Sequence, residues 1–324
     1  MPGGGGTTSG APRSGRHGCW RWGGRLRALA PLQRLATVWA QHFVRGVGGP
    51  VQVRSEPVPC KDRIMTPHDP GVRAGQQRGK HGRGEQTHVT ETAEPGEPSV
   101  ITDVTTSNAS SGDNEALPQI RSQLTRRDLL PGEQYVDSGY VSGTQLAQSD
   151  AAAIELVGPP RQDTSPNGFK IDDFPIDYQA RQATCPAGQH AVKWKVATEP
   201  DGSLAYRIQF AAATCATCPL RAQCTQGTSG RSLHVSEHHG RLVARRREAQ
   251  TAAFRERMKA RPAIEATLSE LVRTHGFRRH RYRGDAPRHL ENLLKAAACN
   301  LKRLTPAVVT RQARARATPA AGRC

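Results

Sequence analysis

Two β-branched runs, residues 87–91 and 100–106, flank a turn rich in Pro, Gly and Glu, and this pattern predicts a β-hairpin. Residues 114–124 suit a helix with Asp113 at its N-cap. A short strand is expected over 134–140, ending at a Gly turn, and another over 154–158, stopped by Pro159 and Pro160. Strand, strand, helix, strand, helix, strand is an α/β order. Residues 161–230 read as an inserted module of turns and cysteines, and residues 239–303 as helical. Within that last stretch Leu290, Leu293, Leu294, Ala297 and Leu301 recur at helical spacing, which predicts a buried stripe. Pro306 is expected to end the helix and leave a loose basic tail. Near the start, residues 25–41 carry an amphipathic pattern through Leu26, Leu29, Leu32, Leu35 and Val38.

Charge changes the picture more than size does. The 324 residues hold 46 Lys plus Arg against 28 Asp plus Glu, a net +18, so an anionic polymer is the first partner to consider. Residues 225–324 contain 22 of the basic residues and 7 of the acidic ones, which concentrates the excess in the C-terminal third. Residues 1–60 contain no Asp, one Glu at position 56 and repeated Arg among Gly, and are expected to be poorly ordered. No apolar run approaches the roughly 18 residues that cross a bilayer, which excludes a helical membrane protein.

Four of the eight cysteines, Cys185, Cys215, Cys218 and Cys224, follow the spacing C-x29-C-x2-C-x5-C. A C-x2-C pair presents two thiolates to one metal from a tight turn and two more complete a tetrahedron, so structural Zn²⁺ is the expected ligand. An iron–sulfur cluster or unmetallated core thiols are the other readings of this spacing. Cys299 lies in the apolar helix and reads as packing. Asp137 stands at the end of a predicted strand, where open α/β sheets gather functional groups, although an Asp there also serves as an ordinary turn former. Glu265 sits in a first helical turn after Pro262, with Arg261 four residues before it. Arg278, Arg279, Arg281, Tyr282 and Arg283 interleave guanidinium groups with an aromatic ring, a pattern that suits phosphates and bases, or else a solvated turn between helices.

Taken in order, several blocks resemble the insertion-sequence DDE transposases of prokaryotes. They are RIMTPHDP at 63–70, THVTET at 87–92, YVDSGYV at 135–141, the cysteine module, IEATLS at 264–269, RHRYRG at 279–284 and AAACNLKRL at 296–304. The resemblance covers roughly residues 33–305. It implies an RNase H-like core in which two Asp and one Glu hold two Mg²⁺ ions for DNA cleavage and joining. By that resemblance Asp137 is the second Asp, Glu265 the Glu, and Arg261 the phosphate-holding Arg. The Tyr expected three residues before Arg261 is Met258 here. The family's first Asp belongs on a central strand upstream, where this sequence has none; Asp62, Asp69 and Asp103 are the nearest substitutes.

The expectation is therefore an incomplete α/β RNase H-like core with an inserted zinc-ribbon-like module and a helical C-terminal part. Its segments are a poorly ordered 1–60, the first part of the core at 61–160, the cysteine module at 161–230, the helical completion at 231–305 and a basic tail at 306–324. The resemblance implies DNA with terminal inverted repeats as the partner, a homodimer as a candidate assembly, and a bacterial cytoplasm and nucleoid as the location. With one carboxylate and a central strand missing, the expectation is a truncated and inactive copy. A non-catalytic, zinc-stabilised DNA-binding protein is the alternative.

Overall fold

The computed structural model describes residues 28–46, 49–77, 80–162, 168–199 and 202–317. The expectations placed on residues 1–27 and on the last part of the basic tail, 318–324, lie outside them. The chain divides into two units, one of residues 1–85 with 108–110 and 283–285, the other of the remainder.

In the first unit, helix α1 (Ala30–His42) realises the amphipathic pattern and starts on a proline in its first turn, where the missing N–H has no helical partner to lose. It leads into the short hairpin of β1 (Phe43–Arg45) and β2 (Val51–Val53). The buried Gln41 amide ties the following loop to the helix, donating to the Asp62 carbonyl at 3.2 Å and accepting from the Ile64 N–H at 3.1 Å. Asp69 is buried here and accepts the Gly284 N–H at 3.1 Å.

The predicted hairpin is present as β4 (Lys80–Glu91) and β5 (Ile101–Asn108), extended by β3 (Arg73–Gln77) into a three-stranded sheet of order β3-β4-β5. Helix α2 (Asp113–Thr125) follows, with Gly112 at its N-cap, so Asp113 falls one position inside the helix rather than on the cap. The strand expected over 134–140 shrinks to β6 (Glu133–Tyr135), which pairs in parallel with β7 (Glu155–Val157) across helix α3 (Gly143–Ala151). Ser142 caps α3, accepting the Gln145 N–H at 3.1 Å. Among the described residues β4-β5 and β6-β7 belong to separate sheets, so the α/β order is present without a continuous central sheet.

The inserted segment forms a second apolar centre. A small β8 (Ile176–Asp177) and β9 (Gln182–Ala183) pair precedes an antiparallel sheet of β10 (Lys193–Thr198), β11 (Leu204–Gln209) and β12 (Ser232–Ser236). One face of this sheet packs Ile208, Leu233 and Val235 against Phe174, Ala183 and Phe210. Between β11 and β12 lie the short helices α4 (Ala212–Ala216) and α5 (Arg221–Cys224).

Four helices complete the chain: α6 (His239–Glu248), α7 (Ala252–Arg257), α8 (Ala263–Thr274) and α9 (Asp285–Ala317). Two expectations fail in α9. Pro306 lies inside the helix, which continues to Ala317. Of the leucine stripe only Leu293 packs against the core, whereas Leu290, Leu294 and Leu301 are 56%, 62% and 68% exposed. The face that meets the hairpin carries Asn292, Ala296, Cys299, Asn300 and Arg303 instead. Asn300 donates to the Ile101 carbonyl and accepts the Ile101 N–H, both at 2.8 Å, and Asn292 donates to the Thr87 and Thr106 hydroxyls at 3.3 Å. A β-strand with free peptide groups and threonine hydroxyls selects a polar helix face, since buried polar groups need partners. Leu271, Phe277, Ala296 and Cys299 then fill the small apolar space beside Ile101 and Val104, so the packing role expected of Cys299 holds.

Candidate functional site

Asp137 follows β6 by two residues, and its Oδ1 accepts the Gly139 N–H at 2.9 Å, which makes the turn after the strand. Arg261, just before α8, reaches Asp137 with Nη2–Oδ2 at 3.5 Å and pairs with Glu265 one turn further along. The tertiary fold thus brings Asp137, Arg261 and Glu265 together from separate parts of the sequence. The two carboxylates share one guanidinium, and the Asp137 and Glu265 side chains are 47% and 64% exposed.

A fourth group belongs to this cluster and was missed in sequence, where it reads only as a helix start. A Cβ placed on Gly139 would lie 2.2 Å from Asp113 Oδ2 and 3.1 Å from Asp137 Oδ1, so only glycine lets the two carboxyls approach over that turn. Burial and then the nearby Asp137 push the Asp113 carboxyl above its ordinary range. Behind them His88 is buried, with Nδ1 2.6 Å from the Tyr140 hydroxyl and Nε2 2.9 Å from the Ser107 hydroxyl. Burial lowers the His88 pKa against the pull of Asp113, and burial followed by the acidic pair raises the Tyr140 hydroxyl. The arrangement is a neutral His–Tyr pair beneath two facing carboxyls.

These groups fit the two metal ions poorly. Metal binding by Asp137 and Glu265 would have to displace Arg261 from both. Two of the three substitutes considered for the missing Asp are committed elsewhere, while Asp62 is exposed in the other unit of the chain. Asp103 is buried, paired with Arg127 at 3.0 Å and bound by the Thr105 hydroxyl at 2.8 Å, and Asp69 holds Gly284. Glu270, His275 and Cys299 also place ligand atoms within 4.8 Å of one another. Hydrogen bonds from Lys302 and Arg303 hold the Glu270 carboxyl down to about 2, so a cation there would meet two cations already in place.

The four cysteines do converge. Cys185, Cys215, Cys218 and Cys224 line one cavity with Phe169 and Phe210. The turn after Cys185 folds back so that the Gln189 N–H donates to its Sγ at 3.4 Å. Arg221 and Arg231 hold the carbonyls of Cys215 and Cys224 at 3.1 and 2.9 Å. Burial raises the Cys224 thiol, Arg231 opposes this, and the other three thiols add to it. The four thiols share one cavity and are the donor type that Zn²⁺ takes, but among the described residues no three of their sulfurs lie within 4.8 Å of one another.

The basic stretch is a loop between α8 and α9. Glu291 and Lys295 of α9 clamp its backbone: Glu291 accepts the Arg281 N–H at 2.9 Å, and Lys295 donates to the Gly276 and Arg279 carbonyls at 3.0 and 2.6 Å. Arg278, Arg279, Arg281, Tyr282 and Arg283 are exposed as expected.

Residues 184–305 match the family model described as Transposase DDE domain, the family that the ordered motifs resemble. The match contains the four cysteines, Arg261, Glu265 and the basic loop, whereas Asp113 and Asp137 precede it. No curated protein and no solved structure matches the chain. Proteins with this domain normally use a divalent metal and act on DNA. Among the described residues no helix is long and apolar enough to cross a membrane.

Proposed function

We propose that this transposase-related chain binds insertion-sequence DNA, is stabilised by zinc, and does not perform two-metal strand transfer as it stands. The observation that carries this reading is Arg261, which occupies both Asp137 and Glu265 where the family's chemistry needs free carboxylate oxygens. Two further features support it. The sheet strands on either side of the carboxylate cluster are not joined among the described residues, and Asp113, the one additional carboxyl beside Asp137, has its pKa raised.

In this reading Cys185, Cys215, Cys218 and Cys224 hold zinc, which supplies a fixed cross-link among β9, α4 and α5 and no reaction step. The exposed Arg278, Arg279 and Arg281 neutralise phosphates, and Tyr282 lies against a sugar or base. The substrate is DNA carrying the element's terminal inverted repeats, in the bacterial nucleoid, and the chain acts on it as a homodimer.

The test is a single incubation read two ways. Duplex DNA carrying the terminal repeat is mixed with the full chain, with and without Mg²⁺ or Mn²⁺. The expected result is a salt-dependent mobility shift and no metal-dependent nick. Neutralising Arg278, Arg279 and Arg281 together should lower the slope of log K against log salt by about one unit per lost phosphate contact. Nicking that requires the metal and disappears in Asp137→Asn would overturn the non-catalytic reading and restore Asp137 as a catalytic residue.

A further inference from the structure

Strand register on the cysteine module places Lys195 opposite Arg207, and Arg207 opposite His234, in one row across β10, β11 and β12. Lys193 joins them on the same face, two residues along β10 and opposite Gln209. All four side chains are exposed, while the alternate residues Ile208, Leu233 and Val235 turn inward to the core. Strands about 4.8 Å apart put the Lys195 and Arg207 charges side by side, and like charges directly opposite weaken a sheet.

Among the described residues of the module nothing relieves this. Glu199, on the same face, is taken by His234, with Nε2–Oε1 at 3.1 Å. Other cations near the module are engaged: Arg246 pairs with Asp172 at 2.6 Å, and Arg221 and Arg231 hold carbonyls beside the cysteines. The Lys193, Lys195 and Arg207 side chains make no hydrogen bond or ion pair among the described residues.

The shape and chemistry of the face narrow the partner. A row spanning three strands is about 10 Å long, more than one phosphate group covers, and a sheet face offers no pocket for a small anion. The module's aromatic rings, Tyr178, Trp194 and Tyr206, pack on one another at 5.2 to 6.3 Å on the other side of the sheet. The basic face therefore has no ring on which an unpaired base could stack, which separates it from single-strand binding surfaces.

We propose that the outer face of β10–β12 is a second DNA-contact surface, where Lys193, Lys195 and Arg207 follow the phosphates of a duplex without reading its sequence. This inference rests on the DNA-binding reading above, and it assigns the cysteine module a contact role beyond holding a metal.

Fluorescence anisotropy of the full chain on labelled duplexes, between about 50 and 200 mM salt, tests it. In Lys195→Gln/Arg207→Gln the slope of log K against log salt should fall by about two, and equally on two unrelated sequences. Thermal unfolding should occur at the same or a higher temperature, because removing opposed like charges relieves the sheet; a merely structural role would lower it. Lys195→Arg, which keeps the charge, should retain the wild-type slope and serves as the second variant if the double one fails to fold. An unchanged slope in a chain that binds DNA overturns the surface and leaves the DNA reading intact. Loss confined to one sequence overturns phosphate tracking in favour of base contacts. No salt-dependent binding by the wild-type chain overturns both readings.

Discussion

The cysteine module and the carboxylate region are both held by few apolar side chains, but they solve that shortage differently. The module has an aromatic and aliphatic core under a regular antiparallel sheet, with four thiols at one end. The carboxylate region has three-residue strands and buries Asp103, Thr105, Arg121, Gln134, Ser149, Thr267 and Asn292. There the polar groups satisfy one another: Arg121 donates to Gln134 at 3.1 Å and Ser149 at 2.7 Å, and Arg303 donates to Thr267 at 2.9 Å. A hydrogen-bonded interior holds one geometry strictly but tolerates loss of a partner poorly, whereas a thiol cross-link concentrates stability in a single ion.

The largest effect should come from the metal. Cys218→Ser, or a chelator, should release zinc and unfold the module, since a structural site of this kind contributes about 10 kcal/mol or more of apparent binding energy. Metal content by mass spectrometry and Trp194 fluorescence read the result; full metal content in the variant would break the contrast between the regions. Next, Leu271→Ala should cost about 2–5 kcal/mol, because Leu271 is fully buried. Leu294→Ala should cost about 0.5 kcal/mol or less by the same denaturant titration, because that side chain is 62% exposed. Comparable losses at both positions would restore the leucine stripe as core.

Asn292→Ala should cost about 1–3 kcal/mol, since it removes the hydrogen bonds that this fully buried amide donates to the Thr87 and Thr106 hydroxyls. The smallest effect is a pH dependence. Burial holds the His88 pKa below its ordinary 6.5, so the unfolded chain takes up a proton that the folded chain resists. Stability contributed by neutral His88 is present above about pH 6.5 and falls as the pH drops toward the folded value, by at most about 1.4 kcal/mol per pH unit. His88→Gln should flatten that slope in unfolding curves measured between these limits.

What could be read without coordinates was whatever depends on neighbours in sequence. The hairpin, α2, β7 and the cysteine spacing follow from β-branched runs, helical periodicity and turn residues, and each appears close to its expected place. The tail of α9 shows the limit of that reading. Pro306 ought to stop a helix judged by local rules, and Leu290, Leu294 and Leu301 ought to be inside by periodicity. Periodicity reports that a helix has two faces and not which one meets the rest of the molecule.

Here the neighbour is a strand edge with peptide groups to satisfy, so Asn292 and Asn300 go inward and Leu290, Leu294 and Leu301 outward. The same reason governs the candidate site. Asp137, Arg261 and Glu265 could be nominated one at a time from their motifs, but the sharing of Arg261 between two carboxylates is a fact of distance alone. Asp113 had no motif at all; it became part of the site because Gly139 leaves room for it beside Asp137. Local sequence determined which elements form, and long-range packing, driven by the need to pair buried polar groups, decided which side chains meet.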